Sequence, residues 1–205
     1  PAPVDTPAVE SAAVDAPAAE LSASAALGHY TCILEQAQFD EWLEKLRKAE
    51  LIAFDTETTG LDAQQAQLVG LSFAVKAGEA AYIPVAHSYM GVPTQLDRDA
   101  VLKALKPILE DPKKAKVGQH AKYDINILAN ASTPIAVQGV AFDTMLESYV
   151  LDSTATRHDM DSLALKYLDH STIHFEDIAG KGAKQLTFDQ IDLAQAAPYA
   201  AEDAD

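Results

Sequence analysis

Three apolar segments at residues 51–56, 68–75 and 80–85 follow one another across turns that contain Gly, Asp and Gln. Each has the length and composition of a β-strand, and strands so closely spaced suggest antiparallel pairing, since parallel neighbours need a long crossover. An antiparallel meander is therefore predicted at the centre of the fold. A short strand over 30–34 and a helix over 39–48 precede it, the helix marked by Phe39, Trp42, Leu43 and Leu46 at helical spacing with charges between them. Downstream, helices are predicted over 98–109, stopped near Pro112, and over 120–130, with a short buried strand at 116–118 opening the second. A strand at 140–142 leads to a helix whose start carries the capping-box spacing in Thr144 and Glu147. Further helices are predicted over 161–168 and 189–205. A meander followed by strands that alternate with helices makes a mixed α/β sheet covered by helices.

Residues 1–28 differ in kind. Ala, Pro, Ser and Val dominate, aromatic and basic residues are absent, and prolines at positions 1, 3, 7 and 17 interrupt any helix. This segment reads as a flexible linker, leaving 29–205 as one domain, and 205 residues with 48% hydrophobic content suffice for one sizeable core. The abrupt end inside a predicted helix suggests an excised fragment. Cys32 is the only cysteine, which excludes an intramolecular disulfide, a Cys-based zinc site and a CxxC redox motif. With no apolar run near the roughly 20 residues of a membrane helix and no signal-peptide pattern, a cytoplasmic protein without a membrane partner is expected. The net charge of −16 argues against a nucleic-acid binder that relies on its own cations. Nucleic acid stays compatible with such a surface where divalent metals or a second domain supply the positive field.

The chemical signals are acidic. Asp55 and Glu57 stand at the end of the first meander strand, where alternation points both carboxylates to one face and Thr56 away from it. Two adjacent carboxylates repel unless a cation or proton lies between them, and an all-oxygen donor set suits Mg²⁺ or Mn²⁺. Taken alone, a D-x-E is an ordinary solvated strand end. Asp124 follows Tyr123 on the helix after the 116–118 strand. Near the C-terminus Tyr199 and Asp203 lie four residues apart and share one helical face, where a phenol beside a carboxylate could orient a metal-bound water.

In this order, D-x-E on a strand, Y-D on a helix and Y-x-x-x-D on a last helix resemble the three motifs of the DEDD exonucleases, tyrosine subclass. The segments LVGLSFAV, AAYIPVAH, AFDTMLESY, RHDMDSLA, FEDIAGKG, QLTF and YAAEDAD are similar to the proofreading domains of bacterial type I DNA polymerases over essentially all of 29–205. The resemblance implies a ribonuclease-H-like fold with a mixed five-stranded sheet flanked by helices. It implies that Asp55, Glu57 and Asp203 hold one divalent ion, that Asp55 and Asp124 hold a second, and that Tyr199 positions the attacking water. Mg²⁺ or Mn²⁺ is implied, with Zn²⁺ an alternative at one site. Pro198 occupies the position five before the last Asp where the histidine subclass has His. The implied substrate is the 3′ end of single-stranded DNA, the product a 5′-mononucleotide, and the usual partner a polymerase domain in the same chain.

Further positions come from the same resemblance. Leu61 and Phe175 match residues that pack on the terminal bases, although a core role explains Phe175 equally well. Arg157 matches a phosphate-contacting position or is an ion-paired arginine, and Thr58 offers hydrogen bonds to the terminal nucleotide or serves a loop turn. His120 departs from the usual Asn. Asp143 and Glu202 read as a helix cap and a solvent-facing neighbour, and Lys181 and Lys184 as a mobile basic loop near DNA. Chemically, two divalent ions about 3.5–4 Å apart can activate water and stabilise the leaving 3′-oxygen. The alternatives are a 3′ RNA-processing exonuclease with the same acids, a catalytically silent spacer of a polymerase, which should lack some acids, and a nucleotide-binding module, which lacks its phosphate loop.

Overall fold

The computed structural model describes residues 28–154 and 157–205. The linker expected over 1–28 lies outside these residues apart from Gly28. Strands β1 (His29–Cys32), β2 (Leu51–Thr58), β3 (Leu68–Lys76), β4 (Glu79–Pro84), β5 (Ala115–Gly118) and β6 (Val140–Asp143) form one sheet in the order β1-β4-β3-β2-β5-β6. The central β2-β3-β4 meander is antiparallel, as the short connections require, while β1 on β4, β5 on β2 and β6 on β5 pair in parallel. The sheet thus has six strands, not the five implied by the resemblance. The additional edge is secured because β1 runs in register with β4 from His29–Glu79 to Cys32–Tyr82 and leads directly into the fully buried Ile33.

Helices α1 (Gln36–Lys48), α2 (Arg98–Leu109) and α3 (Lys122–Ala129) cover one face. Phe39, Trp42, Leu43 and Leu46 of α1 and Val101, Leu102, Leu105, Ile108 and Leu109 of α2 share one core with Ile52, Phe54, Leu71, Phe73, Ala81 and Ile83. Each large side chain fully buried there contributes about 1.5–3 kcal/mol. Asp97 caps α2, its carboxylate accepting from the Ala100 amide at 2.8 Å.

The opposite face is covered by α7 (Leu193–Ala204), which starts four residues later than the sequence pattern indicates. A 3₁₀ turn over Phe188–Gln190 precedes it, and the Asp192 carboxylate caps its first turn. The inward residues of α7 are Ala196, Ala197, Ala200, Ala201 and Ala204. Methyl side chains let the helix lie close over β1 to β4, within reach of carboxylates on β2. Below it, the Tyr82 ring occupies the space above Gly70, where a Cβ would come within 2.1 Å of the phenol oxygen. A glycine at 70 is a packing requirement of that tyrosine.

Helices α4 (Thr144–Leu151), α5 (Met160–Leu168) and α6 (Phe175–Ala179) complete the fold. The cap of α4 is Asp143, one residue before the Thr144 indicated by the capping-box pattern. Asp143 accepts from the Met145 and Leu146 amides and also from those of His120 and Ala121, so one carboxylate caps α4 and fixes the turn before α3. The cap reading of Asp143 therefore holds. Hydrogen bonds to a charged acceptor of this kind contribute about 1.5–3 kcal/mol each.

Candidate metal centre

The site forms where the end of β2 meets α7. Asp55 and Glu57 project from β2 toward that helix, and the strand bulges between Glu57 and Thr58 at the point where its register with β3 shifts. A bulge ends the ladder and re-aims the chain beyond it. Tyr199 and Asp203 are presented by successive turns of α7. One carboxylate oxygen from each of Asp55, Glu57 and Asp203 lies within 4.8 Å of the others.

Asp124 stands outside this trio. Thr56 does point away from the Asp55 and Glu57 face, and its orientation gives it a task. Its amide and hydroxyl donate to Asp124 Oδ1 at 3.0 and 2.5 Å, anchoring the first turn of α3 to the strand. Asp124 and Asp55 both line an open cleft of about 330 Å³ with Leu61, Gln119, His120 and Tyr123. Three of the four acids form one cluster that could hold a metal ion, and the fourth lines the cleft together with Asp55.

Burial raises all four acids, and the charge of a neighbouring carboxylate raises Glu57, Asp124 and Asp203 further. Loss of water pushes the Asp55 carboxyl up to about 6. Burial, then the Asp55 charge, pushes Asp124 up to about 8 despite the Thr56 hydrogen bonds. Glu57 and Asp203 are raised well above the usual range, again by burial first, with Asp55 the largest neighbouring charge for each. Glu57 Oε1 is buried without a hydrogen-bond partner. An orphaned carboxylate oxygen beside two other carboxylates is costly unless a proton or cation sits there. The hard, oxygen-only donor set fits a divalent cation of the Mg²⁺ or Mn²⁺ type.

Tyr199 packs against Phe175 and Phe188, with ring centroids 6.2 and 5.9 Å away. Burial raises its phenol, and the Asp203, Glu57 and Asp55 charges raise it further. The hydroxyl therefore remains protonated throughout the physiological range. Phe175 is half-buried and also stacks on Phe188, so it belongs to this aromatic wall.

The remaining positions are dispersed. Leu61 is 97% exposed at the mouth of the cleft. The Thr58 hydroxyl is engaged with Tyr123 at 2.6 Å and the Gly60 carbonyl at 2.9 Å, the turn role of the sequence reading. Arg157 is exposed and pairs with Asp159 at 3.1 Å, and neither it nor Phe175 lines the cleft. His120 adopts a left-handed backbone with φ 57°, a conformation that Asn, Asp and His tolerate best, which accounts for an Asn or His at this position. Lys181 pairs with Glu176 at 2.6 Å.

Glu202 corrects the sequence reading. It is 8% exposed rather than solvent-facing, and both its oxygens accept hydrogen bonds from the segment between α5 and α6. Gln119 and Phe188 are further residues that sequence reasoning does not single out, and Tyr123 enters it only as the neighbour of Asp124 in the Y-D motif.

The family model described as 3′-5′ exonuclease matches residues 30–205. DNA polymerase I of Pseudomonas aeruginosa is 83% identical over 176 residues, covering 86% of this chain but only 19% of that relative's length. Among solved structures, Escherichia coli RNase D, described as an exoribonuclease, aligns with 85% of this chain and 41% of its own at 19% identity and TM-score 0.57. Brucella melitensis NrnC with bound Mg²⁺ aligns with 85% of this chain and 72% of its own at 19% identity and TM-score 0.52. The two structural likenesses bear out the ribonuclease-H-like fold. On the family match and the high identity, this chain belongs to the 3′-5′ exonuclease family, as the exonuclease domain found in bacterial type I DNA polymerases.

Proposed function

We propose that the chain removes nucleotides from the 3′ end of DNA in a metal-dependent hydrolysis, releasing 5′-mononucleotides and serving proofreading within a longer polymerase I chain. The observation that carries this reading is the convergence of the half-buried Asp55, Glu57 and Asp203 carboxylates around the unpartnered Glu57 oxygen. Asp55, Glu57 and Asp203 would hold one divalent ion and Asp55 with Asp124 a second. Bound there, such ions ease deprotonation of a water and stabilise negative charge on the leaving 3′-oxygen. The protein's own part is to exclude bulk water on the α7 side and hold Asp124 through Thr56. The protonated Tyr199 hydroxyl would hydrogen-bond the attacking water. That water's oxygen forms the new bond to phosphorus as the bond to the 3′-oxygen breaks.

Leu61 and Phe175 would support the terminal bases, and Thr58 and Arg157 would contact the nucleotide and its phosphate once DNA is bound. Much of the cation needed for DNA affinity would come from the polymerase part, since the chain carries −16. Leu146, Val150 and Leu151 on α4 and Leu165 and Leu168 on α5 are all more than half exposed, apolar surface that such a partner would cover. The site of action would be the bacterial cytoplasm. Among the described residues no helix is long and apolar enough to cross a membrane.

End-labelled DNA incubated with the chain and Mg²⁺ or Mn²⁺ tests the reading. Stepwise loss from the 3′ end is expected, faster on single strands than on blunt duplex because a paired end must first be unstacked and unpaired. Equal rates on both, attack from the 5′ end, or preference for RNA would reject it.

Metal should also reverse a pH effect on stability. Asp55 and Asp124 bind protons more tightly in the folded chain, at about 6 and about 8 against the ordinary 3.8. Their contribution is fully present below about pH 4 and is lost as pH rises through 6 to 8. Glu79, held at about 2 chiefly by Lys45 and Lys76, acts in the opposite sense only at lower pH, and His87, lowered by burial, opposes the trend until pH passes about 6.5, so the two aspartates dominate above it. The metal-free melting midpoint should fall between pH 5.5 and 8, and Mn²⁺ should raise it more at pH 8. At 100 times the dissociation constant the gain is about 2.7 kcal/mol. A midpoint indifferent to saturating Mn²⁺ at pH 8 would contradict a preformed acidic cluster.

A further inference from the structure

Glu202 is a buried acid that the hydrolytic chemistry does not use. It lies beside Asp203 on α7, yet its carboxylate is turned to the segment joining α5 to α6. Oε1 accepts from His170 Nε2 at 2.9 Å, and Oε2 accepts from the Ile173 amide at 2.6 Å. Its side chain is only 5% exposed. Both bonds connect residues about 30 positions apart in sequence, so they hold two separate elements together.

The connecting segment matters because it delivers the chain into α6. Ile173 precedes the N-cap of α6 by one residue, and Phe175 is the first residue of that helix. The Phe175 ring meets Tyr199 edge-on at 6.2 Å and stacks on Phe188 at 6.4 Å. Asp161 of α5 fastens the same segment from the other side, accepting from the Thr172 hydroxyl at 2.7 Å and from His174 Nδ1 at 2.9 Å. α6 is short and lacks a side-chain cap; Phe175, Ile178 and Ala179 pack on the α7 cluster, and these two acids hold the segment that enters it.

We propose that Glu202 is a positioning residue of the nuclease site. By tying the 170–173 strap to α7, it fixes the Phe175 wall against which Tyr199 is aligned. This inference rests on the nuclease reading above. A buried carboxylate satisfied on both oxygens gives a strap of defined length, whereas an apolar contact would allow it to slide. A displacement of about 1 Å at a distant support is enough to cost on the order of 100-fold in rate.

Single-turnover and steady-state hydrolysis of a labelled single-stranded oligonucleotide by the 205-residue chain with Mn²⁺, read beside melting curves, tests the proposal. Glu202→Ala is expected to lower kcat on the order of 10- to 100-fold while Mn²⁺ still raises its melting midpoint. Glu202→Gln keeps an acceptor for the Ile173 amide and should recover most of the rate. Because the effect passes through Phe175, Phe175→Ala combined with Glu202→Ala should be no slower than the slower single variant. Should Glu202→Ala fail to fold, His170→Ala removes one of the two bonds, leaves the acid in place, and enters the same cycle. Additive losses in that cycle overturn the proposal, as does a Glu202→Ala protein with normal kcat and only a lower midpoint. A parent chain inactive with both Mg²⁺ and Mn²⁺ defeats the nuclease reading itself, and an active parent with additive losses defeats this inference alone.

Discussion

Replacing Asp55 by alanine is expected to abolish measurable hydrolysis and, at the same time, to leave the metal-free protein at least as stable as before. The two effects have one cause. Asp55 is the carboxylate shared between the Glu57 and Asp203 cluster and the Asp124 side of the cleft, and it is the largest neighbouring charge raising the other three acids. Removing it relieves that repulsion, so the folded metal-free chain loses a liability while the cation loses its central ligand. The Mn²⁺-induced gain, about 2.7 kcal/mol for the parent at 100 times its dissociation constant, should shrink toward zero at the same concentration. Melting curves with EDTA and with Mn²⁺, run beside hydrolysis of a labelled oligonucleotide, give both readouts. A variant that is inactive because it is unfolded would show a lower metal-free midpoint, the opposite sign. Retained activity would remove Asp55 from the site altogether.

Much of this arrangement is legible in the sequence because it depends on local periodicity. The meander follows from connection length, α1 from the Phe39, Trp42, Leu43 and Leu46 stripe, and α2 from its pattern, its 98–109 bounds agreeing with the structure. The face shared by Asp55 and Glu57 follows from strand alternation. The features that periodicity does not reveal depend on contacts distant in sequence. Glu202 looks like a surface acid until the 170–173 segment is seen to fold over it, and nothing in YAAEDAD announces a donor some 30 residues earlier. Alternation correctly turns Thr56 away from the acids, but its partnership with Asp124 spans 68 positions. Short elements such as α6 have too few residues to display a period. The sequence pattern begins α7 too early because an Asp-capped helix and the 3₁₀ turn before it have similar composition. Part of the charge of −16 is gathered at the site, where the half-buried Asp55, Glu57 and Asp203 converge, an arrangement that under the proposed function would meet phosphate through bound metal.

Tyr199→Phe should separate water positioning from metal binding. The substitution keeps the ring that packs on Phe175 and Phe188 and leaves every carboxylate in place, deleting one oxygen. Since burial and the Asp203, Glu57 and Asp55 charges hold the phenol far above its ordinary value, it cannot serve as a base at physiological pH. Under the proposed function its role is that of a neutral hydroxyl that orients a water molecule. Loss of that hydrogen bond should lower the single-turnover rate on the order of 10- to 1,000-fold, or about 1.4–4 kcal/mol of transition-state stabilisation. Metal-induced stabilisation should remain that of the parent, in contrast to Asp55→Ala. Comparing the pH–rate profiles of the parent and the variant supplies an independent control: an alkaline rise present in the parent and absent from Tyr199→Phe would mark a tyrosinate base, whereas profiles of the same shape mark a neutral hydroxyl. Full activity in Tyr199→Phe would reduce the residue to a member of the aromatic wall. Lost metal stabilisation would instead show that the phenol supports Asp203, four residues along the same helix, and that its contribution to hydrolysis runs through the ligand rather than through water.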